Sequence, residues 1–383
     1  MDRPIVLHLI DSFGIGGAQQ RLFNDLHFFG AEFEHWPFAV FGPGESGQAR
    51  GLSIPLRTLD LRRKRDLPYG FVRLVRLLAG HPRIRIVHTQ LFWADLIGRL
   101  AARACGRTIV STMQNAGHEP DSGFYSAWRH RTDRSTAKRL TRAVAVSEYV
   151  RRSVVHRLAM PAGKVVVIPN AVDTETVRPD ADRRLRTRAR LGLAPDDFAW
   201  LILCRLATGK GLDDLLSAFA QVAARAPSTR LLIAGDGPLL RDLEQNAAAL
   251  AVSERVRFLG ARTDVLELLD GADAFVLPSL HEGLPVAVLE AMAMGKPCVL
   301  SAIPAHLEIV EPGVNGILTS PRDVPALAQA MLQLQESRGM RERLGACARV
   351  RVVRAFDAAA CARRLQDMYR SIVPLPFETV VVP

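Results

Sequence analysis

The stretch "HEGLPVAVLEAMAMGKPCV" (281–299) contains two carboxylates, Glu282 and Glu290, and every residue between them is apolar, glycine or proline. A short apolar run precedes the stretch, as expected of a buried strand. Pro285 stands where a helix tolerates proline, in its first turn, and Gly295 stands where helices commonly stop. We therefore predict a strand, a turn and a helix, with Glu282 at the helix entrance and Glu290 about two turns further along.

The spacing of these two carboxylates limits their chemistry. At ~1.5 Å of rise per residue, the two backbones lie on the order of 12 Å apart, wider than the roughly 5–9.5 Å carboxyl pairs of glycoside hydrolases. Two acceptors at such a distance suit hydrogen bonds to two pairs of sugar hydroxyls, one on a hexose and one on a ribose. In the structural alternative, Glu282 is favoured by the helix dipole and Glu290 is solvated. The apolar neighbours of Glu290 on every helical face argue against a solvated position.

Short apolar runs alternate with longer segments of helical period along almost the whole chain. This alternation predicts an α/β fold in which helices cover both faces of parallel sheets. We predict strands at "PIVLHLI", "WPFAVFG", "RIRIVHT", "RTIVSTM", "AVAVS" and "VVVIPN" in the first half, and at "FAWLILC", "TRLLIAG", "VRFLG", "DAFVLPS" and "KPCVLS" in the second.

The length of 383 residues exceeds what one hydrophobic core usually serves, which predicts two domains. The polar stretch 174–196 has no apolar period and is the predicted linker. We expect an N-terminal domain over 1–173, a C-terminal domain over 174–355, and a helix and tail over 356–383 that pack back on the N-terminal domain. Doubly wound folds bind ligands beyond the carboxyl ends of their strands, which predicts a cleft between the domains.

The charge of the chain is unevenly distributed. Residues 1–173 contain 25 lysines and arginines against 14 acidic residues, whereas the remainder has 25 of each, so the net charge of +11 belongs to the first half. Such a basic half is typical of a surface that faces an anionic partner, and membrane headgroups, nucleic acid or an anionic substrate would each fit.

The five cysteines are scattered and form no C-x-x-C pair, which argues against a disulfide framework or a zinc site and favours a reducing compartment. The sequence has no run of eighteen apolar residues and no secretory signal. We therefore expect a cytoplasmic protein that does not span a membrane.

Several further segments accompany the two carboxylates along the chain. They are "GIGGAQ" near the start, "VIPNAVD" before the predicted linker, "CRLATGKGLDDLLSAF", "AGDGP" and "FLG". Together with "PSLHEGLPVAVLEAMAMGKPCV", this ordered set resembles the retaining glycosyltransferases of family 4. The resemblance covers nearly the whole chain and implies the GT-B fold, in which two Rossmann-like doubly wound domains face a central cleft.

The resemblance also implies a donor site for a nucleotide-diphosphate sugar. Arg205 and Lys210 follow a strand in "CRLATGKG", and the resemblance assigns them to the donor diphosphate, which arginine can grip bidentately and lysine as a point charge. Glu282 would hold the hexose and Glu290 the ribose. Two solvated loop cations are the alternative for Arg205 and Lys210. The implied catalytic residues are Arg205, Lys210 and Glu282, and the implied donor-binding set is Gly16, Gly17, Arg205, Lys210, Glu282, Gly283, Leu284 and Glu290.

The glycine-rich turn "FGIGGAQ" (13–19) lacks the third glycine of a dinucleotide fingerprint and the GK[ST] of a P-loop, so it gives little support to nicotinamide or ATP binding. Its glycines would still let backbone N–H groups approach a phosphate closely. A plain tight turn is the alternative.

Three residues are candidates for the acceptor side. Many relatives in the resembled family have a histidine after the strand that corresponds to "RTIVSTM", where this chain has Gln114. A glutamine can hydrogen-bond a sugar hydroxyl but cannot accept its proton. His118 and His88 are the other candidates, with an exposed loop histidine and a buried core histidine as their respective alternatives. The resemblance implies that transfer needs little help from a base, so the groups that stabilise the leaving diphosphate would carry most of the rate.

The stretch "LRRKRDLPYGFVRLVRLLAG" (61–80) combines a basic cluster with Phe71, Leu74, Val75 and Leu78 at helical spacing. This face could lie on an anionic membrane, where lipid-linked acceptors reside. We favour the alternative that the helix packs its apolar face on the sheet. Nucleic acid is the weaker partner, because no recognised binding motif is present.

We expect a retaining hexosyltransferase that moves a sugar from a nucleotide-diphosphate donor to a hydroxyl of a glycan or lipid-linked acceptor, with possible peripheral contact at the inner face of the membrane. No metal or other cofactor is expected, because cationic side chains would hold the diphosphate and no DxD-like acid pair ends a strand. A GT-B sugar-nucleotide epimerase and a non-catalytic nucleotide-sugar- or membrane-binding partner remain as alternatives. The sugar, the nucleobase and the linkage stay open.

Overall fold

Two parallel sheets organise the chain. The computed structural model describes residues 3–42, 52–117 and 127–373. The described residues divide into a first unit, which contains those up to 171 together with 358–373, and a second unit, Val172–Asp357. Each unit has its own parallel sheet with helices packed on it, so the predicted α/β class with two Rossmann-like domains is confirmed.

Within the described part of the first unit, the sheet has seven strands in the order β3-β2-β1-β4-β5-β6-β7, and all its pairings are parallel. The strands are β1 (Ile5–Ile10), β2 (Glu34–Phe41), β3 (Arg57–Leu61), β4 (Ile84–Gln90), β5 (Thr108–Met113), β6 (Arg142–Ala145) and β7 (Val165–Val167). The helices are α1 (Gly17–Phe28), α2 (Leu67–Gly80), α3 (Phe92–Ala104), α4 (Ala127–Ala137), α5 (Glu148–Arg157) and α14 (Ala358–Ile372).

The described part of the second unit has a sheet of six parallel strands in the order β10-β9-β8-β11-β12-β13. The strands are β8 (Phe198–Leu203), β9 (Thr229–Ala234), β10 (Val256–Phe258), β11 (Ala274–Leu277), β12 (Cys298–Ser301) and β13 (Ile317–Thr319). The helices are α6 (Ala181–Arg190), α7 (Leu212–Arg225), α8 (Leu240–Ala249), α9 (Val265–Gly271), α10 (Val286–Ala293), α11 (Pro304–Leu307), α12 (Val324–Glu336) and α13 (Arg338–Ala355).

The order of the strands places a switch point in each sheet. In the first unit the chain winds outward from β1 to β3 and then restarts on the other side of β1 with β4. In the second unit the same reversal separates β8 from β11. The loops that leave neighbouring strands at such a point diverge and open a crevice at the carboxyl edge, where doubly wound folds bind ligands.

Two edge strands escape the sequence pattern. Strand β3 has the sequence "RTLDL", in which only Leu59 and Leu61 are buried, and β13 contains just three residues. Both lie at the end of a sheet and pair on one side only. A short or half-exposed strand lacks the continuous apolar run that identifies the central strands.

The predicted linker over 174–196 is wrong, because this stretch contains α6. Arg184 and Arg188 of this helix pair with Asp273 at 2.5 and 3.1 Å, and Arg183 pairs with Asp270. Charged side chains that meet acids more than eighty residues away therefore fix this helix to the second unit. An apolar period could not reveal it, since its contacts are ionic.

The last helix covers one face of the first sheet. Leu365 and Tyr369 of α14 are fully buried and pack in one cluster with Val6, Ile86 and Val110 of the sheet. Gln366 accepts a hydrogen bond from the backbone of Gly30 at 3.0 Å. The core of the first unit is thus closed by residues from the far end of the chain.

No helix in the described ranges is both long and apolar enough to cross a lipid bilayer.

Candidate functional site

Two loops of the second unit lie against each other at the carboxyl edge of its sheet, beside the switch point. One follows β8 and the other follows β11, and the Leu280 amide donates a hydrogen bond to the Gly209 carbonyl at 2.8 Å. Gly211 has a φ of +66°, and a Cβ at this position would lie 2.1 Å from the carbonyl oxygen of Pro278. Only glycine permits both the left-handed backbone and this close approach.

The contact between these loops brings Lys210 to Glu282. The Lys210 ammonium donates to Glu282 Oε1 at 2.6 Å, and the Ser279 hydroxyl donates to the same oxygen at 2.7 Å. The side chains of Lys210 and Glu282 are only 24% and 12% exposed. The structure therefore brings together two of the residues that the resemblance assigns to one donor site.

The charges in this pair support each other. Burial opposes the charge on Lys210, but the neighbouring Glu282 carboxylate outweighs it and raises the pKa of the ammonium. Burial also opposes the charge on Glu282, yet the Lys210 ammonium, with further help from the Ser279 hydroxyl, holds the pKa of this carboxyl below its usual value. Both groups are therefore ionised at neutral pH.

Three polar residues behind the pair are absent from the sequence prediction. The Ser301 hydroxyl donates to the carbonyl of Ser279, and His306 Nδ1 donates to the carbonyl of Ser301 at 2.8 Å. All three residues are buried, and burial lowers the pKa of His306. Because Nδ1 carries the proton, Nε2 of the neutral ring is an acceptor, and it has no hydrogen-bond partner among the described residues. The position of His306 after a neighbouring strand, in "IPAHL", was the signal that could have revealed it.

Three other predicted donor residues of the second unit lie in the same two loops as this pair. Arg205 is exposed in the loop after β8, and Gly283 and Leu284 are buried directly after Glu282. Glu282 itself lies in the turn that precedes the helix, four residues before the start of α10. The helix begins only after Pro285 and ends before Gly295, whose φ of +66° terminates it as predicted.

Glu290 lies on the second turn of α10 and is partly buried. Burial raises the pKa of its carboxyl to about 7. This carboxyl therefore titrates near neutral pH, whereas a solvated surface glutamate would be ionised there.

In the first unit, Gln114 follows β5 and donates a hydrogen bond from Nε2 to Gln90 Oε1 at 3.0 Å. Gln90 is the last residue of β4, the neighbour of β5, so the two amides lie side by side at the carboxyl edge of the first sheet. Gly16 and Gly17 lie at the start of α1 in the same unit. His118 lies outside the described residues.

A carboxylate at this edge also escaped the sequence prediction. Asp11 follows β1 and accepts a hydrogen bond from the Ala94 amide at 2.8 Å, at the beginning of α3. Burial raises the pKa of Asp11 to about 7. Ile10 pairs with Gln90 across the sheet, which places Asp11 next to the two amides in the order of the strands.

His88 lies in the core of the first unit and not at its open edge. It is 1% exposed, Nε2 bonds the Thr112 hydroxyl at 2.7 Å, and Nδ1 makes a short hydrogen bond with the Tyr369 hydroxyl. Both ring nitrogens are thus engaged by residues of the protein. This is the arrangement of a core histidine, the alternative considered for it.

Among the described residues, no group of three or more histidine, cysteine, aspartate or glutamate side chains is placed to hold a metal ion.

Two family models match the chain. The model described as Glycosyltransferase Family 4 matches residues 15–176, and the model described as Glycosyl transferases group 1 matches residues 184–351. The two matches together span most of both units.

Curated relatives agree with the family models. The UDP-Gal:alpha-D-GlcNAc-diphosphoundecaprenol alpha-1,3-galactosyltransferase of Escherichia coli is 28% identical over 332 residues, which cover 85% of this chain and 84% of that protein. The GDP-mannose-dependent alpha-(1-6)-phosphatidylinositol monomannoside mannosyltransferase of Mycolicibacterium smegmatis is 32% identical over 275 residues, which cover 68% of this chain and 69% of that protein.

Solved structures share the fold. The crystal structure of Anabaena HepE in complex with UDP and glucose superposes with a TM-score of 0.85 at 21% identity and covers 96% of this chain and 100% of that one. Sucrose-phosphate synthase from Thermosynechococcus elongatus gives a TM-score of 0.80 at 21% identity and covers 97% of this chain and 99% of that one. The family models, the relatives and the fold agree, and the chain belongs to glycosyltransferase family 4.

Proposed function

We propose that this glycosyltransferase moves a hexosyl group from a nucleoside-diphosphate sugar to a hydroxyl of a lipid-linked or glycan acceptor, with retention of anomeric configuration and without a metal. The contact between Lys210 and Glu282 is the observation that carries the proposal. The relatives act on activated sugars and include enzymes for lipid-linked acceptors, as their names state. The epimerase and the non-catalytic partner gain no support from the relatives.

Lys210 supplies positive charge for the leaving group. As the bond between the anomeric carbon and the diphosphate oxygen breaks, negative charge builds up on that oxygen. An ammonium already fixed in a partly buried site stabilises this charge without reorganising at the moment of reaction. Arg205, on the same loop, adds a second cation that can bind two phosphate oxygens.

Glu282 is suited to hold the hexose. A carboxylate can accept about four hydrogen bonds, and Lys210 and Ser279 both donate to Oε1. Acceptor capacity therefore remains for sugar hydroxyls, while the two donors fix the orientation of the carboxylate. Glu290 would bind the ribose hydroxyls in its ionised form.

The proton of the acceptor hydroxyl needs a destination in this scheme. The acceptor oxygen bonds to the anomeric carbon on the face from which the diphosphate leaves, and the released diphosphate oxygen takes the proton. Gln114 orients the acceptor hydroxyl by hydrogen bonding, since an amide cannot take up the proton. The reaction then proceeds without a protein base on the acceptor side.

We further propose that the enzyme acts at the cytoplasmic face of the membrane, in peripheral contact with anionic lipid. The excess of basic residues in the first half of the chain supports this placement.

Donor screening and product analysis test the proposed function. Thermal-shift measurements with UDP-, GDP- and ADP-sugars should single out one donor class, since a bound ligand stabilises the folded state. With that donor and a polyprenyl-diphosphate-linked sugar, free nucleoside diphosphate should appear only when acceptor is present, which an epimerase would not require. NMR of the product should show the anomeric configuration of the donor, and EDTA should leave the rate unchanged. Inverted product, or a rate abolished by EDTA and restored by a divalent cation, would contradict the retaining or the metal-independent part.

A further inference from the structure

Aromatic and cationic side chains form a cluster at one edge of the first unit. The ring centroids of Phe92, Trp93 and Trp128 lie 5.0 to 6.0 Å apart. The Arg129 guanidinium lies 5.1, 5.5 and 5.7 Å from these three centroids, and the Lys64 ammonium lies 5.5 Å from that of Trp93. These five residues, from three separate segments of the chain, are called the aromatic–basic face below.

Part of this face is open to solvent. Trp128 is 50% exposed and Lys64 is exposed, whereas Phe92, Trp93 and Arg129 are partly buried. Tyr69, on the helix that follows Lys64, is 60% exposed. Large aromatic side chains on a surface often mark a place where the protein meets a partner. Further exposed cations lie close to the face in the sequence: Arg62, Arg63 and Arg65 next to Lys64, and Arg131 and Arg134 within five residues of Arg129.

The apolar side of α2 is the weaker candidate for a membrane-binding surface. Leu74 and Leu78, at its centre, are fully buried, and Phe71 and Val75 are partly buried, so this side packs within the first unit as favoured from the sequence. Most of the apolar side of α2 is therefore not available to lipid. The aromatic–basic face combines exposed aromatic surface with the local excess of positive charge.

The chemistry of the face matches a lipid headgroup layer better than a sugar. Tryptophan and tyrosine are favoured at membrane interfaces because one end of the ring system is apolar and the other is polar. Lysines and arginines near an anionic bilayer add electrostatic attraction of about 1 kcal/mol each. A sugar would stack on the faces of the rings, but Arg129 and Lys64 lie over these faces already.

The position of the face links it to the acceptor side. Phe92 and Trp93 open α3, directly after β4, which ends at Gln90. The face thus lies at the carboxyl edge of the first sheet, where Gln90 and Gln114 meet. A lipid-linked acceptor held in a bilayer beneath this face would enter the first unit at that edge.

We propose that the aromatic–basic face docks the enzyme on an anionic phospholipid bilayer, with Trp128 at the headgroup level and Arg129 and Lys64 against lipid phosphates. This inference rests on the proposed function, because it identifies the surface through which the enzyme would reach a lipid-linked acceptor.

Vesicle sedimentation of the full chain tests the docking. Wild-type protein should bind phosphatidylcholine vesicles that contain phosphatidylglycerol, bind pure phosphatidylcholine vesicles much less, and be released by salt. Tryptophan emission should shift to the blue on binding. Arg129→Gln and Lys64→Gln should each weaken binding roughly fivefold, and Trp128→Ala should abolish most of the blue shift. The control variant Leu185→Ala/Arg338→Gln changes an exposed leucine and an exposed arginine of the second unit and should bind like wild type.

Several outcomes would overturn the docking proposal. One is that the face variants bind anionic vesicles as tightly as the control. Another is that the protein binds vesicles with and without phosphatidylglycerol equally tightly. A third is that a soluble glycan protects Trp128 from quenching while vesicles do not, which would make the face a sugar platform. Transfer to a water-soluble acceptor analogue without vesicles reports separately on the proposed function, and the face variants should keep that activity. If that transfer is absent while vesicle binding follows the predicted order, the proposed function fails and the docking surface stands.

Discussion

The Lys210 ammonium lies 2.6 Å from a Glu282 carboxylate oxygen, although 72 positions separate the two residues in the chain. Each of the two groups depends on the other for its charge, because both are partly buried and each keeps the other ionised. The loss of one partner leaves the other as an uncompensated charge in the site.

Lys210→Ala and Glu282→Ala should therefore each lower kcat by about 10²–10³-fold, and the double variant should lose much less than the product of the two effects. Steady-state kinetics of the two single variants and the double variant checks this. Arg225→Gln, an exposed cation on α7, is the matched control and should keep the wild-type rate. Fully multiplicative losses would show that the two residues act independently.

Gly211→Ala should impair transfer without removing any polar side chain. The new Cβ would meet the Pro278 carbonyl and push the two loops apart, which moves Lys210 away from Glu282. Gly313→Ala is the control, because Gly313 also has a positive φ, +76°, but has open space around its Cβ position. Both variants pay the left-handed strain of roughly 1–2 kcal/mol, which denaturation measures. Only Gly211→Ala should lose activity, and equal activity in the two variants would contradict the role of the loop contact.

Glu290 should make donor binding depend on pH. Burial raises the pKa of its carboxyl to about 7, and only the ionised form offers full acceptor capacity to ribose hydroxyls. Nucleoside-diphosphate affinity, measured by calorimetry, should therefore rise as the pH increases through about 7. The terminal phosphate titrates near pH 6 itself, so the measurement is the difference between wild type and Glu290→Gln across the same buffers. Identical pH profiles in the two proteins would rule out the ribose role.

The same shift has a consequence for stability with a definite sign. A carboxyl whose pKa is raised on folding, from 4.5 to about 7, favours the folded state below the lower value and loses that contribution as the pH rises through the higher one. The free energy of unfolding of Glu290→Gln, relative to that of wild type, should consequently be higher at pH 8 than at pH 5.

The first unit should lose stability in mild acid. His8, His35 and His88 are buried next to one another, and His8 Nε2 lies 3.0 Å from His35 Nδ1. Burial lowers the pKa of His35 and of His88 to about 3, with Arg3 adding to the effect at His35, and Arg21 and His35 adding to it at His88. Burial also holds the pKa of His8 well below its usual range.

Because these histidines stay neutral when folded and take up protons near pH 6.5 when unfolded, their contribution to stability is complete above that value. It is lost as the pH falls toward 3, at about 1.4 kcal/mol per pH unit for each histidine. Urea unfolding between about pH 4 and pH 6 should show a slope that decreases by about one proton in His35→Gln. Val72→Ala, which changes an exposed side chain of the first unit that does not titrate, is the control and should retain the full slope. An unchanged slope in His35→Gln would mean that its ring is already protonated in the folded state.

The strands of the two sheets were largely predictable because their central members are buried on both faces and therefore appear as continuous apolar runs. The misses have a common physical cause, which is that the stabilising contacts are remote or one-sided. Strand β3 buries only alternate residues, and helix α6 is fixed by ion pairs with Asp270 and Asp273. No local period can report such contacts.

The candidate site was predictable to the same extent. Lys210 and Glu282 follow adjacent strands, and the parallel topology brings the ends of such strands to one edge. Their proposed roles stay predictions. The position of His306 after a strand was a signal that could have revealed it. The hydrogen bonds among Ser279, Ser301 and His306 were not foreseeable, because they depend on the side-chain directions of three separate segments. His88 carries the opposite lesson, since a polar residue at a strand end proved to be bonded to Tyr369 inside the core.

Because α14 closes the core of the first unit, the second unit is in effect an insertion into the first. During synthesis, the ribosome adds all residues up to Asp357 before it adds α14, the helix that covers the sheet of the first unit. The first sheet must therefore keep one face uncovered until Ala358–Ile372 has been translated. A chain truncated before residue 358 would retain all of the second unit, but its first unit would lack the helix that covers its sheet.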